Sequence, residues 1–348
     1  MKVWPSLMLL AALAATGPAV AASQAVAPKA KAASPEDIAE SAGAPLIGKY
    51  APAITLRTLD GERIDLAKLY GKRPVYLKFW ATWCAPCRQQ MPHFENVEKT
   101  LGQDIQVVAV DAGFNETKQA VVDYRQNMGL TMPIVIDDGR LADALNLRVT
   151  PQHIVIGRDG RILHVGHLAD AKLDSALKQA IAEPAAHPGA DSGRISAAGR
   201  FLAPALRTPA GEPLKVNDEA RPSVIFFFSP WCETYLKSSR PAMAEACLNQ
   251  VQKVTRISSG SGARWVGVAA GLWAGQSDLV AYQKDHSLRM PLALDETGAF
   301  FRAYKIADVP TFVVVDAKGR VIARTSQADE ANRIAVKAQS DRSPTKEP

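Results

Sequence analysis

Short continuous apolar runs alternate along this chain with longer stretches whose apolar residues recur at helical spacing. Residues 75–80 read as a strand and 88–101 as largely helical. A second strand at 105–110 precedes a helix at 116–128, and a short third strand at 134–136 precedes a short helix at 141–145. Strand segments 154–156 and 161–165 flank Asp159-Gly160, a strong hairpin signal, and 173–181 supplies a closing helix. Strand-helix-strand crossovers followed by a hairpin imply a mixed sheet covered by helices on both faces. The predicted class is α/β.

The pattern then repeats. Leu56-Arg57-Thr58 with Gly61 recurs as Leu206-Arg207-Thr208 with Gly211, Arg73-Pro74 as Arg221-Pro222, and Trp83-Cys84 as Trp231-Cys232. Met132-Pro133 recurs as Met290-Pro291, and Pro151 with Gly160-Arg161 recurs as Pro310 with Gly319-Arg320. The offset grows from about 148 to 159 positions, so the second copy has gained residues; the Ser/Gly run 258–262 is the obvious inserted loop. Two tandem α/β/α domains with mixed sheets are therefore expected, at 45–182 and 198–334. Between them, 183–197 has the composition of a linker. Residues 22–44 read as a flexible tether in which Ser34-Pro35-Glu36-Asp37 can cap one short helix, and the polar tail 335–348 reads as disordered.

Cys84 and Cys87 stand between the strand 75–80 and the helix-compatible stretch behind it. Backbone amides at a helix start stabilise negative charge, which favours Cys84 as thiolate. Cys87, one turn later, is placed to attack a mixed disulfide formed at Cys84. Such a pair moves two electrons between dithiol and disulfide. The competing readings are half a zinc site and a structural disulfide. Zinc normally takes four ligands, and Cys232 and Cys247 lie far away without forming a second close pair. No metal and no organic cofactor is expected. A metal chaperone would need further ligands, and no histidine or methionine sits at a matching spacing.

Met1 and Lys2 precede an uncharged segment, 3–28, that is continuously apolar over 7–15 and offers Ala19-Val20-Ala21 as a small-x-small cleavage site. This is the pattern of a signal peptide at 1–21 and implies a periplasmic protein. The alternative is a retained anchor holding the protein on the membrane, facing the periplasm. The apolar stretch is short for a span of ~20 residues, and Pro5, Gly17 and Pro18 interrupt the region. In an oxidising compartment a dithiol stays reduced only while electrons are delivered to it. With 47% hydrophobic and 22% charged residues, the 348-residue chain has the composition and length of two ordinary globular domains. Its formal charge is +6, but the basic residues are scattered, with no arginine-rich run or aromatic-basic stripe. Nucleic acid is therefore not an expected partner, and membrane contact is peripheral at most.

The run Phe79-Trp80-Ala81-Thr82-Trp83-Cys84-Ala85-Pro86-Cys87 with Met91-Pro92 resembles the thioredoxin superfamily, most closely its exported TlpA/ResA-like disulfide reductases. Thr150-Pro151 ahead of a strand and the Asp159-Gly160 hairpin adds to the resemblance, which covers roughly 45–182 and, more weakly, 198 to about 335. It implies two thioredoxin-like domains, the first with catalytic Cys84 and Cys87 forming a redox-active disulfide. It implies a cis bond before Pro151, and substrate contacts at Trp83, Thr150 and Pro151, with Thr150 pairing to an extended client segment. It also implies clients that are proteins with disulfides, and a DsbD-like membrane thiol donor. Pro92 is expected to kink the helix after the dithiol or to end its first part.

Lys78 stands at the strand position where cytosolic thioredoxins usually place a buried acid. An ammonium near Cys87 favours the thiolate, whereas burial favours the neutral amine, so Lys78 is a candidate for tuning the dithiol. The plain alternative is a lysine whose stem packs while its head reaches water. Glu95 and Glu98 are candidate replacement acids. The uncharged Ala85-Pro86 pair lacks the histidine of related oxidases and argues for a reducing couple. His93 reads as a partly exposed helix residue and His153 as packing.

In the second copy, Ser229-Pro230-Trp231-Cys232-Glu233-Thr234-Tyr235 puts Tyr235 at the resolving position, so this copy cannot close its own short disulfide. Val309-Pro310 still matches the substrate-side loop, which leaves Cys232, Val309 and Pro310 as a possible second site. Three readings compete: a degenerate domain that packs on the first or holds a partner, a monothiol site, and a peroxidatic cysteine. With 232–254 broadly helical, Cys232 and Cys247 stand ~20 Å apart by helix rise, too far for a disulfide without a sharp bend, and Cys247 reads as a buried thiol. The expected function is reduction of partner-protein disulfides. The alternatives are a client-binding or scaffold protein with an auxiliary redox domain, and a disulfide oxidase or isomerase.

Overall fold

The computed structural model describes residues 34–184, 195 and 205–341; the leader expected at 1–21 and most of the linker expected at 183–197 lie outside them. In chain order the first copy contains α1 (Pro35–Gly43), β1 (Thr55–Arg57), β2 (Arg63–Asp65), α2 (Leu66–Leu69), β3 (Val75–Trp80), α3 (Ala85–Leu101), β4 (Gln106–Asp111), α4 (Lys118–Met128), β5 (Ile134–Ile136), α5 (Arg140–Ala144), β6 (Gln152–Ile156), β7 (Ile162–Gly166) and α6 (Ala171–Ala182). The second contains β8 (Ser223–Phe228), α7 (Cys232–Tyr235), α8 (Pro241–Ile257), β9 (Arg264–Ala270), α9 (Gln276–Asp285), β10 (Leu292–Asp295), α10 (Ala299–Ala303), β11 (Thr311–Val315), β12 (Val321–Thr325) and α11 (Ala328–Ser340).

Each copy builds one five-stranded mixed sheet, in the orders β5-β4-β3-β6-β7 and β10-β9-β8-β11-β12. In both, the first three strands of that order run parallel and the last two pair antiparallel. The central strands β3 and β8 are buried along their whole length, which explains why each reads as a nearly unbroken apolar run. Alternation sorts β3 between two cores: Tyr76 and Trp80 pack with Cys87, Met91 and Phe94 of α3, while Leu77 and Phe79 pack on the other face with Val108 and Val110.

Two boundaries differ from expectation. Residues 34–44 are part of the fold rather than tether. The Ser34 hydroxyl accepts from the Asp37 amide and the Asp37 carboxylate accepts from the Ser34 amide, a capping box that starts α1. Ala39, Ala42 and Gly43 are then buried as α1 lies against β7, and a Cβ on Gly43 would stand 2.4 Å from Val165. Small residues let this helix approach closely, which polarity alone did not signal. At the other end, residues 335–340 continue α11, because Ala328, Ala331 and Ala335 form a buried stripe against the sheet. The helix α3 also runs on through Pro92 and does not end there.

Candidate active site

Strand β3 delivers the chain to a tight turn in which the Cys84 amide donates to the Ala81 carbonyl at 3.1 Å. Cys84 is the N-cap of the 17-residue α3, and its sulfur accepts from the Cys87 amide at 3.2 Å. Pro86 fits this first turn because its missing N–H has no partner to lose there. The two sulfurs are joined in a disulfide with the Cα atoms 5.2 Å apart, and both cysteines are 0% exposed. On reduction, the amide at Cys84 and the helix start favour its thiolate.

Below the dithiol helix the structure decides the Lys78 question against a water-reaching head. Lys78 is fully buried, its Nζ has no hydrogen-bond partner among the described residues, and it stands 5.3 Å from the Phe94 ring centroid. Burial lowers its pKa from 10.5 to about 7. Across the sheet it pairs in register with His153. The His153 Nδ1 accepts from the Tyr76 hydroxyl at 2.7 Å, and its Nε2 donates to the Gln90 side-chain oxygen at 2.7 Å. Burial, then the charge of Lys78, holds the His153 pKa well below its ordinary value, so it stays neutral. Gln90 continues the chain by donating to the His167 carbonyl, and the His167 Nδ1 donates to the Pro151 carbonyl at 2.7 Å.

Sequence reasoning did not find Gln90 or His167. Neither belongs to a motif, and the only usable signal was the alternation that put Tyr76 and Lys78 on one face. The candidate acids have other tasks. Glu95 accepts from the amide and hydroxyl of Thr131 and pairs with Lys99. Glu98 is half-buried, with its pKa raised by burial and by Glu95. His93 is a partly exposed helix residue that pairs with Asp174.

The bonds before Pro151 and before Pro310 are both cis. In the second copy the expected single helix over 232–254 does not form. Helix α7 ends at Tyr235, the chain turns through 236–240, and Pro241 starts α8 from a position where proline favours a new helix. The turn packs α8 against α7, and Cys247 meets Cys232 in a disulfide with a Cα separation of 6.2 Å. The ~20 Å separation assumed one straight helix, and that assumption is overturned. In this state Cys247 is not a free thiol and Cys232 is not a lone one.

The second copy sits directly on the first copy's dithiol. The Trp83 and Trp231 rings stack at 5.0 Å, and the Tyr235 hydroxyl oxygen accepts from the Ala85 amide at 3.0 Å. Trp273 donates from its amide to the Arg148 carbonyl at 2.9 Å and from its indole to the Thr150 hydroxyl at 3.0 Å. Reciprocally, the Asn115 amide donates to the Ala307 carbonyl at 2.8 Å. Arg148 and Ala307 lie at the same distance before their cis prolines, and Asn115 and Trp273 both have positive φ, 52° and 61°. The indole N–H groups of Trp83 and Trp231 likewise find matching carbonyls, Phe114 and Leu272. These paired bonds are what two copies related by a local two-fold axis make. Arg240 closes the edge on the Glu116 carboxylate, the Thr82 hydroxyl and the Asn115 carbonyl, and the Glu116 side chain is only 1% exposed.

A mixed sheet with a dithiol at the start of the helix after its central strand, and a cis proline before the antiparallel strand beside it, defines a thioredoxin-type fold, here present twice. The AhpC/TSA family profile matches residues 47–165 and the Redoxin profile matches 202–339. The thiol-disulfide oxidoreductase ResA of Bacillus subtilis is 36% identical over 34% of this chain and 65% of its own. The thioredoxin-like protein YneN of the same organism is 35% identical over 37% of this chain and 78% of its own. ResA of Halalkalibacterium halodurans is 36% identical over 38% of this chain and 75% of its own. The chain belongs to the thioredoxin superfamily, with the ResA-like thiol-disulfide oxidoreductases as relatives. Each of these relatives matches little more than a third of the chain, about the length of one copy.

Proposed function

We propose that this protein is an exported oxidoreductase that reduces disulfides in partner proteins through Cys84 and Cys87. The observation that carries the reading is the Cys84 sulfur at the N-cap of α3, receiving the Cys87 amide. In the reduced protein, the Cys84 thiolate attacks one sulfur of a client disulfide, and the other client sulfur leaves as a thiolate that takes a proton. Cys87, deprotonated in turn, attacks Cys84 in the mixed disulfide and releases the second client thiol. Two electrons have moved to the client, and the Cys84–Cys87 disulfide remains. A DsbD-like membrane thiol donor would return those electrons. The uncharged Ala85-Pro86 pair supports the reducing direction, and the uncharged amino-terminal segment with its small-x-small site supports export.

Trp83, Thr150 and Pro151 form the surface that receives the client. In the closed form the second copy holds that surface: Trp273 takes the Arg148 carbonyl and the Thr150 hydroxyl. The second copy thus acts as a built-in occupant that withdraws when a client docks. No helix among the described residues is long and apolar enough to cross a membrane.

The test is reduction of insulin disulfides by the full chain with a dithiol donor. Cys84→Ser is expected to bring the rate down to that of the donor alone. A variant that keeps most of the activity contradicts the assignment.

A further inference from the structure

The Cys232–Cys247 bond occupies a setting that the first copy uses for chemistry. Cys232 follows Trp231 as Cys84 follows Trp83, and two backbone bonds of the turn are shared, although Cys232 is the first residue of α7 whereas Cys84 is the N-cap of α3. The Cys232 amide donates to the Ser229 carbonyl at 3.1 Å, as the Cys84 amide does to Ala81. The Cys232 carbonyl accepts from the Leu236 amide, as the Cys84 carbonyl does from Arg88. The Cys247 sulfur lies 4.0 Å from the carbonyl oxygen of Val309, the residue before cis Pro310, so the pair lies against the second cis-proline loop. A brace between two helices could stand at any facing pair of positions. This one takes the nucleophile's place.

We infer that Cys232–Cys247 is a second redox couple, with Cys232 at the nucleophilic position and Cys247 as a resolving cysteine moved onto α8. The break at 236–240 is what makes the move possible, since it folds α8 back under α7. The vacated resolving position carries Tyr235, which reaches across to the Ala85 amide instead. Both couples belong to one continuous apolar cluster beneath the domain contact. One opening of that contact therefore uncovers both, and the segment closed by the second disulfide carries Tyr235 and Arg240, two of the residues that hold the contact shut.

The co-reactant is a dithiol. One of its thiolates attacks the Cys232 sulfur, the Cys232–Cys247 bond breaks, and Cys247 leaves as thiolate and is protonated. The second thiolate of the reductant then displaces Cys232, which is protonated in turn. Two electrons and two protons pass to the chain, and the reductant becomes a disulfide. The reverse sequence returns the two electrons to the oxidised form of that dithiol, with Cys247 resolving.

The experiment uses the full chain carrying Cys84→Ser and Cys87→Ser, equilibrated with dithiothreitol at graded ratios of its reduced and oxidised forms, then alkylated with a maleimide and weighed. The inference predicts that Cys232 and Cys247 gain label together, reversibly, in protein that keeps its native circular dichroism spectrum. A bond that stays closed until denaturant is added, or that opens only with loss of the fold, overturns it. If that variant does not fold, peptide mapping of the labelled wild-type chain reads the same two cysteines. Because the first couple is absent from the variant, the result is separate from the Cys84→Ser activity test, on which the reading of Cys84 and Cys87 stands or falls.

Discussion

Lys78 and His153 face each other across β3 and β6; at the same register of the second copy, Phe226 and Phe312 stack at 5.0 Å. The strands, their order and the cis proline are shared, so the difference belongs to chemistry rather than to fold. A buried amine without a hydrogen-bond partner is costly in an apolar layer, and aromatic packing is the cheaper solution. Only the copy with the adjacent dithiol keeps the amine. A second contrast lies just downstream. The first copy places both cysteines on the opening turn of one helix, and the second breaks the helix and joins sulfurs 15 residues apart. Duplication has thus kept the scaffold and divided the tasks: one copy presents the dithiol, and the other covers it.

Replacing Lys78 by methionine makes the first copy more like the second and is expected to have the largest effect on stability. The folded-state pKa near 7 lies below the unfolded value near 10.5, so the unfolded chain binds more protons between these limits and the lysine costs stability there. Lys78→Met should raise unfolding free energy by roughly 2–5 kcal/mol at neutral pH, with the gain shrinking as pH climbs towards 10.5. Urea melts at pH 7 and pH 10 measure both. If the variant is no more stable at pH 7, the lysine is not the unpaired buried group described here. If Lys78 also tunes the couple, thiolate absorbance of the reduced variant titrates at a different pH.

Arg240→Ala attacks the contact between the copies. It leaves the Glu116 carboxylate buried beside the Thr82 amide and hydroxyl and the Asp111 carboxyl, with no cation to compensate it among the described residues that bond it. Arg240 is itself partly exposed, so a loss of about 1.5–3 kcal/mol in docking is expected, below the range for a fully buried pair. Alkylation of reduced Cys84 should then quicken at least about tenfold, since ~1.4 kcal/mol is tenfold in an equilibrium. An unchanged rate means that the second copy does not gate the dithiol.

Tyr235→Phe is the mildest change, removing one neutral acceptor from the Ala85 amide for about 0.5–1.5 kcal/mol. It should speed the same alkylation a few-fold, and a slower rate would show that Tyr235 does not help to close the site.

The strand and helix succession, the duplication and the dithiol were legible because each has a local signature: a β3 run buried on both faces, repeated dipeptides, and a helix start after Cys84. The docked α1 was not, because its contact with β7 depends on small residues rather than on an apolar stripe. Cys232–Cys247 was hidden by treating 232–254 as one helix. Pro241 was the signal, since a proline at that point starts a new helix as readily as it interrupts an old one. That the second copy packs on the first was one reading of its degenerate motif, but the contacts that cover the dithiol were not legible. Asn115 and Trp273 belong to no motif, Tyr235 signalled only a lost resolving cysteine, and the packing of the two copies brings them together.

The central claim is that exchange passes through the Cys84 sulfur and is resolved by Cys87. Cys87→Ser, exposed to a cell extract and analysed by mass spectrometry without reductant, tests it most directly. The account predicts partner proteins held in disulfides to Cys84, released by added thiol. An absence of adducts, or adducts held only through Cys232, would contradict it.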